Sequence, residues 1–179
     1  MKTGIEKFKD VIDSETCDLL TTYIENNLDQ FEDMQYTKTQ SVICKEYLLD
    51  NGCELDDAVY KVVNKVALMY KEKYPYFVAG GDTGYQLRKI TGATRQHTDF
   101  DHGAGDCRTI SIILGLNSNY EKGEFHFPYQ DFSTTVKRGE AIVFPVYFMY
   151  PHFVDAPIGY RYTVNTWITA SSVHPNQDA

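Results

Sequence analysis

In the N-terminal third of the chain, apolar residues recur every three or four positions, the spacing of an amphipathic helix. One stripe consists of Cys17, Leu20, Ile24 and Leu28, and a second consists of Val59, Val62, Val63, Val66 and Met69. Asp13 or Ser14 can cap the first helix, which is predicted to run to about residue 27. The second helix is predicted to start near residues 55–57 and to end at Tyr74-Pro75, because the residue before proline disfavours the helical conformation. Residues 36–49 could hold a short strand or irregular structure.

From about residue 84 the pattern changes to short runs of β-prone residues separated by turns. The predicted strands are residues 85–90, 95–100, 109–116, 123–127, 134–136, 141–145 and 160–169. Helices followed by about seven strands predict a mainly β fold with N-terminal helices, in which the helices pack on one sheet of a jelly-roll core. We expect a single domain over residues 1–179, with residues 1–80 as a helical support region and residues 84–170 as the β core.

The last predicted strand has two chemically different faces. One face carries Arg161, Thr163, Asn165 and Trp167, and the other carries Tyr162, Val164 and Ile168. Since side chains alternate along a strand, the apolar face can contact the helices while the polar face points into the mouth of the barrel. The alternative is that the polar face is exposed to solvent.

Composition limits the possible partners and compartments. The 179 residues are 42% hydrophobic and 14% aromatic, which is typical of a folded domain, and the net charge of −8 argues against binding to nucleic acid or an anionic membrane surface. The four cysteines show neither C-x-x-C nor a disulfide framework. Neither a signal peptide nor an apolar run of transmembrane length is evident, so we expect a cytoplasmic protein with reduced thiols.

The pattern His97-x-Asp99, followed at a distance by His152, is the strongest chemical feature of the chain. Residues i and i+2 of a strand project from the same face, so His97 and Asp99 can reach one ion, and His152 would come from a neighbouring strand. Two imidazoles and one carboxylate form the facial triad of non-haem Fe(II) oxygenases, although Mn(II) or Zn(II) would also suit these ligands. Arg161, nine residues past the last ligand, indicates an acidic co-substrate beside the metal.

Five blocks carry a family resemblance. They read QHTD at 96–99, GEFHFP at 123–128, RGEAIVFP at 138–145, YPHFV at 150–154 and GYRY at 159–162. In this order and spacing, residues 84–170 resemble the Fe(II)- and 2-oxoglutarate-dependent dioxygenases, in particular the prolyl 4-hydroxylase-like branch. The resemblance implies a double-stranded β-helix and the cofactors Fe(II), 2-oxoglutarate and O2, with ascorbate as an additional possibility.

The resemblance also implies roles for individual residues. It assigns His97, Asp99 and His152 as the catalytic iron ligands and Arg161 as the partner of the distal carboxylate of 2-oxoglutarate. It places Trp167 among the residues that line the site and Ser111 on a strand where a small hydroxyl touches the co-substrate. Members of the family usually carry a co-substrate-binding tyrosine shortly before the first histidine. Here residues 88–94 lack one, so Tyr85 is the available substitute.

The implied reaction is hydroxylation of a C–H bond with release of succinate and CO2. The substrate would be a peptidyl group, with a prolyl side chain as one option, or a small molecule, and the protein would be a monomer or a homodimer. Two alternatives remain. A catalytically silent jelly-roll binding module would share the fold, and an oxidative nucleic-acid dealkylase would share the triad. The dealkylase branch typically carries R-x-N-x-T-x-R after its last histidine, whereas residues 161–167 read RYTVNTW.

Overall fold

A computed structural model describes residues 3–35, 41–100 and 107–170 of the chain. These residues form two α-helices, α1 (Ser14–Asn26) and α2 (Glu54–Lys73), and short 3-10 helices at Leu28–Gln30 and Pro128–Gln130. The strands are β1 (Glu6–Phe8), β2 (Glu32–Met34), β3 (Cys44–Leu48), β4 (Gln86–Ile90), β5 (Thr94–His97), β6 (Arg108–Gly115), β7 (Glu121–Lys122), β8 (Phe125–Phe127), β9 (Phe132–Thr134), β10 (Ala141–Pro145), β11 (His152–Val154), β12 (Pro157–Ile158) and β13 (Arg161–Thr169).

Both predicted helices are present, and their ends follow the local chemistry. Of the two candidate caps of α1, Asp13 is the N-cap, and its Oδ1 accepts a hydrogen bond from the Thr16 backbone N–H at 2.7 Å. At the start of α2 the corresponding acceptor is Cys53 Sγ, 3.4 Å from the Asp56 backbone nitrogen. The helix ends before Tyr74, as predicted. Neither described helix has the combination of length and apolarity that crossing a membrane requires.

Two antiparallel sheets face each other. The large sheet has the strand order β1-β10-β6-β13-β4-β3-β2, and the small sheet has the order β5-β11-β8-β9. A further pair, β12-β7, lies outside both sheets. The expected mainly β jelly-roll core with N-terminal helices is therefore confirmed. Six of the seven predicted strands coincide within a few residues with an observed strand, and the seventh, predicted at 134–136, corresponds to Phe132–Thr134.

The N-terminal third is more than a helical support. It contributes β1, β2 and β3 to the large sheet, at both of its outer edges. The segment 36–49 does contain a strand, Cys44–Leu48, while residues 36–40 lie outside the described residues. Strands as short as Glu32–Met34, which is largely exposed, carry too little alternation to be recognised in a sequence. Their extended conformation is stabilised by pairing with the rest of the sheet.

The helices cover one face of the large sheet, and the site lies on the other face. Residues of this helix-side core include Leu20, Ile24, Val59, Val63, Val66, Leu87, Ile112 and Val164. A smaller core between the two sheets includes Ile113, Phe125, Phe127, Ile142 and Phe144. Because the helices cover one face of the large sheet, its opposite face can form the wall of a cavity that opens between the sheets.

Candidate active site

A cavity of about 370 Å³ lies between the two sheets. The large sheet contributes Arg88, Arg161, Thr163, Asn165 and Trp167 to its wall, and the small sheet contributes His97, His152 and Val154. The prediction that β13 turns its polar face into the barrel is thus confirmed. Its other face contacts the helix-side core through Tyr162, Val164 and Ile168.

Strand pairing arranges the cavity wall of the large sheet in rows. Along β13 the opposed pairs are Arg161–Ile90, Thr163–Arg88, Asn165–Gln86 and Trp167–Ser111. Successive residues on one face of a strand are about 6.6 Å apart. The wall is therefore a ladder of four rows, with Arg161 in the first row and Trp167 in the last.

The three predicted metal ligands come together beside the Trp167 row. His97 of β5 and His152 of β11 are directly opposed in the small sheet, and Asp99 follows two residues after His97. Asp99 Oδ1 lies 3.2 Å from His97 Nε2 and 3.6 Å from His152 Nε2. One ligand atom from each residue lies within 4.8 Å of the other two, close enough for all three to bind one metal ion.

Both imidazole rings are oriented for metal binding. His97 Nδ1 is 2.7 Å from the Arg95 backbone oxygen, and His152 Nδ1 is 3.2 Å from the Tyr150 backbone oxygen. Since a carbonyl oxygen can only accept, each Nδ1 carries the proton and donates it. The Nε2 atom of each ring then faces Asp99, and a hydrogen bond of this kind from the second ring nitrogen is typical of metal-binding histidines.

The protonation of the two histidines depends on Asp99. Burial by itself lowers the pKa of His97, but the hydrogen bond and charge of Asp99 outweigh it and raise the pKa above the usual value. Burial lowers the pKa of the more deeply buried His152, despite the attraction of Asp99. An incoming metal ion therefore competes with a proton mainly at His97.

Asp99 is held by two further hydrogen bonds. Its Oδ2 accepts from Ser111 Oγ at 2.5 Å and from Trp167 Nε1 at 3.1 Å. Burial alone would raise the pKa of Asp99, but the hydrogen bonds from His97 and Ser111 and the nearby His152 outweigh it, so the pKa is held far below its usual value. The carboxylate is thus anionic, and Oδ1 is left to face the imidazoles.

Ser111 and Trp167 accordingly have a different partner from the expected one. The resemblance places both beside the co-substrate, whereas the structure shows their polar hydrogens directed at Asp99. The two residues are opposed on β6 and β13, which explains why one carboxylate oxygen reaches both. Both residues therefore hold the carboxylate of a predicted metal ligand, and this contact could not be recognised before the two strands were paired.

Arg161 lies at the other end of the ladder as a deeply buried cation. It is 3% exposed, its Nη1 donates to the Gly123 backbone oxygen at 2.7 Å, and its guanidinium lies 5.0 Å from the Phe125 ring centre. Burial lowers its pKa to about 10, so it stays charged near neutral pH. Among the described residues it has no carboxylate within ion-pair distance, and its buried Nε has no hydrogen-bond partner. An anionic ligand would supply both, and 2-oxoglutarate fits this requirement.

A family comparison agrees with this arrangement. The family model of the 2OG-Fe(II) oxygenase superfamily matches residues 85–169. This segment contains His97, Asp99, His152 and Arg161. Residues 85–169 are a 2OG-Fe(II) oxygenase domain. This segment is thus the 2-oxoglutarate-dependent dioxygenase part of the chain, and the cofactors of the superfamily, Fe(II), 2-oxoglutarate and O2, fit the His-Asp-His cluster.

Solved structures share the fold of this oxygenase at low sequence identity. The viral collagen prolyl hydroxylase of Paramecium Bursaria Chlorella virus-1, in its complex with 2-oxoglutarate, is 19% identical with a TM-score of 0.73, over 95% of this chain and 97% of that chain. A Pseudomonas putida prolyl-4-hydroxylase is 15% identical with a TM-score of 0.75, over 94% of each chain. A Trichoplax adhaerens prolyl hydroxylase, in complex with a hypoxia inducible factor peptide fragment, is 16% identical with a TM-score of 0.75, over 94% of this chain and 84% of that chain. Curated protein sequences gave no significant match.

The expectation that Tyr85 binds the co-substrate is wrong. Tyr85 is 2% exposed, packs in the helix-side core, and donates its hydroxyl hydrogen to Asp82 Oδ2 at 2.7 Å. The reason is the alternation of the strand, because Tyr85 and Leu87 face the helices while Gln86 and Arg88 face the cavity.

Sequence reasoning did not assign two arginines of the cavity to the site. Arg88 of β4 lines the cavity wall. Arg108, at the start of β6, also lines the cavity, and its guanidinium lies 4.1 Å from the Trp167 ring centre. The alternation of polar Gln86 and Arg88 with apolar Leu87 was the available signal for Arg88. His126, by contrast, lies on the outer side of the small sheet, where it contacts Ser133 and Asp155.

Proposed function

We propose that this oxygenase hydroxylates a C–H bond of a peptidyl substrate, with a prolyl side chain as the first candidate, and releases succinate and CO2. The observation that carries the proposal is the placement of His97, Asp99 and His152 at one end of the cavity and of the uncompensated Arg161 cation at the other. A dicarboxylate held by Arg161 would extend along the ladder toward the metal ligands.

Each of these residues has a defined task in the proposed reaction. His97, Asp99 and His152 would hold Fe(II), and bound iron supplies the redox chemistry that couples decarboxylation of 2-oxoglutarate to oxidation of the substrate. Arg161 would grip the distal carboxylate, since its planar guanidinium can donate two parallel hydrogen bonds and remains charged when buried. Ser111 and Trp167 would keep Asp99 in the orientation that metal binding requires.

The aromatic and apolar residues at the mouth of the cavity favour a polypeptide as the substrate. Phe100, which lines the cavity, lies 5.9 Å from Tyr147 between ring centres, and Phe148 and Met149 are exposed beside it. Tyr147 also borders a second groove of about 450 Å³, lined by aromatic residues that include Tyr74, Phe77 and Tyr150. An apolar surface that continues from the mouth suits an extended chain better than an isolated small molecule. The similar folds include a prolyl hydroxylase in complex with a peptide.

Three alternatives receive less support. A silent binding module would be expected to lack a metal ligand or the co-substrate cation, whereas the side chains of all three candidate ligands and of Arg161 line this cavity. A nucleic-acid dealkylase would need a cationic surface for the phosphate backbone, and the net charge of −8 disfavours one. A small-molecule substrate would fit the cavity volume but would leave the apolar surface at the mouth without a role.

Two measurements test the proposal. Anaerobic addition of Fe(II) and then 2-oxoglutarate should give a charge-transfer absorption band only when both are bound, and the His152→Ala variant should not give it. In air, proline-containing peptides should increase succinate formation and gain 16 Da by mass spectrometry, whereas matched peptides with alanine should not. Absence of the band in folded, iron-bound protein would reject the site assignment. Succinate formation that no peptide stimulates would reject the peptidyl substrate.

A further inference from the structure

Arg88 occupies the second row of the ladder, between the Arg161 row and the metal ligands. It is opposed to Thr163 on β13, and Thr163 lies one step from Arg161 in the direction of Trp167. The Arg88 side chain is 15% exposed and faces the cavity. An elongated ligand that reaches from Arg161 to the metal ligands must therefore pass the level of Arg88.

The contacts of Arg88 leave part of its guanidinium available. Its Nε lies 2.9 Å from Glu46 Oε2 on the adjacent strand, near enough for an ion pair but not aligned as a hydrogen bond. Its Nη2 donates to Gln86 Oε1 at 2.6 Å. These neighbours fix the side chain on the sheet, and Nη1 has no hydrogen-bond partner within the described residues. A carboxylate could bind there.

The charges around the cavity also favour a dianion. The described residues that line it include three arginines, Arg88, Arg108 and Arg161, and two carboxylates, Glu46 and Asp99. Asp99 is directed at the metal site, which leaves Glu46 as the counter-charge along the β3–β4 wall. The charge of Arg88 adds to the effect of burial in lowering the pKa of Arg161, so the two guanidinium groups repel each other. Two carboxylates of one ligand would relieve this repulsion.

We propose that Arg88 is a second cationic contact for 2-oxoglutarate, beside Arg161. This inference rests on the proposed function. It assigns to Arg88 the co-substrate contact for which no tyrosine is available, since residues 88–94 contain none and Tyr85 packs in the helix-side core. Glu46 has the opposite effect in this arrangement, because it competes with the co-substrate for the same guanidinium. A cation at this position distinguishes the site from one that uses a neutral phenol.

The test is a binding titration and does not depend on turnover. Under anaerobic conditions, 2-oxoglutarate is added to the Fe(II)-loaded protein while the charge-transfer band and the fluorescence of Trp167, the one tryptophan of the chain, are followed. Arg88→Gln should raise the dissociation constant of 2-oxoglutarate roughly 10- to 100-fold, and Arg88→Lys should raise it less. Lys89→Met is the matched control, since Lys89 is the next residue on β4 but pairs with Glu25 on the helix side. It should bind as wild type does.

Variants of Glu46 separate contact from indirect effects. Glu46→Gln removes the competing carboxylate and should bind 2-oxoglutarate more tightly, by roughly 2- to 10-fold. If Arg88→Gln weakened binding merely by exposing the Glu46 charge, the Glu46→Gln/Arg88→Gln double variant would return to wild-type affinity, and the proposal would be overturned. Persistent weak binding in the double variant supports it.

Arg161→Gln distinguishes this inference from the proposed function. Weak binding in Arg161→Gln together with wild-type affinity in Arg88→Gln overturns the role of Arg88 alone. Wild-type affinity in both variants overturns the co-substrate site itself. Should Arg88→Gln fail to fold, as judged by circular dichroism, the comparison of Glu46→Gln with wild type decides, and unchanged affinity there rejects the contact.

Discussion

Replacement of Ser111 by alanine isolates the contribution of a hydrogen bond that never touches the metal. Ser111 Oγ donates to Asp99 Oδ2 at 2.5 Å from a fully buried position on β6. A hydrogen bond to a charged group contributes about 1.5–3 kcal/mol, and residues that orient metal ligands typically change metal affinity by about 10- to 100-fold. Because Trp167 still donates to the same oxygen, we expect Ser111→Ala to weaken Fe(II) binding by about 10-fold.

The assay is anaerobic competition for Fe(II) against a chelator of known affinity, with Co(II) as a second, air-stable probe. Ser111→Ala/Trp167→Phe should lose more than either single change, because Asp99 Oδ2 then has no donor from the large sheet. Thr163→Ala is the control, since Thr163 is also a buried hydroxyl of the cavity wall but donates to Asn165 Oδ1 at 2.8 Å. An affinity within twofold of wild type for Ser111→Ala, or an equal loss in Thr163→Ala, would refute the reasoning.

Three further outcomes are expected. Arg161→Ala should bind Fe(II) normally but lose 2-oxoglutarate affinity, whereas His152→Ala should lose Fe(II); the charge-transfer titration measures both, and unchanged co-substrate affinity in Arg161→Ala would contradict the assigned role. Leu20→Ala should lower the free energy of unfolding by about 2–5 kcal/mol in urea denaturation, because Leu20 is buried under the large sheet, while the exposed neighbour Leu19→Ala should change it by less than about 0.5 kcal/mol. Burial raises the pKa of Tyr120 to about 12, so the stability that its protonated hydroxyl contributes is complete below about pH 10 and is lost as the pH rises through 12. The urea midpoint of unfolding should therefore fall between about pH 9 and 12, and it should fall less steeply in Tyr120→Phe. A midpoint that rises with pH would contradict the prediction.

Much of the candidate site could be predicted because its signals are local. His97 and Asp99 lie two residues apart on one strand face, and the alternation along residues 161–168 separates cavity residues from core residues without any knowledge of the partner strands. The helices were equally readable, since apolar stripes, an N-cap aspartate and the Tyr74-Pro75 stop are all encoded within a few residues.

Other features were beyond a sequence reading because they depend on which strands meet. Tyr85 and Arg88 are three residues apart, and only the assignment of the helix-covered face shows that Arg88 enters the cavity and Tyr85 does not. Ser111 and Trp167 are 56 positions apart in the chain, yet the antiparallel pairing of β6 with β13 brings both to one oxygen of Asp99.

The chain by itself therefore determined the class of chemistry, through the residue types of the triad and a nearby arginine, and the helical and β regions, through their hydrophobic periods. The tertiary structure alone decided which atoms face one another. It placed the buried Arg161 without a carboxylate partner in the described cavity, oriented both imidazoles through backbone carbonyls, and set Arg88 between the two ends of the site. The physical reason is that the alternation of side chains along a strand depends only on that strand. The burial, charge partners and hydrogen bonds of a side chain depend on residues that are distant in sequence.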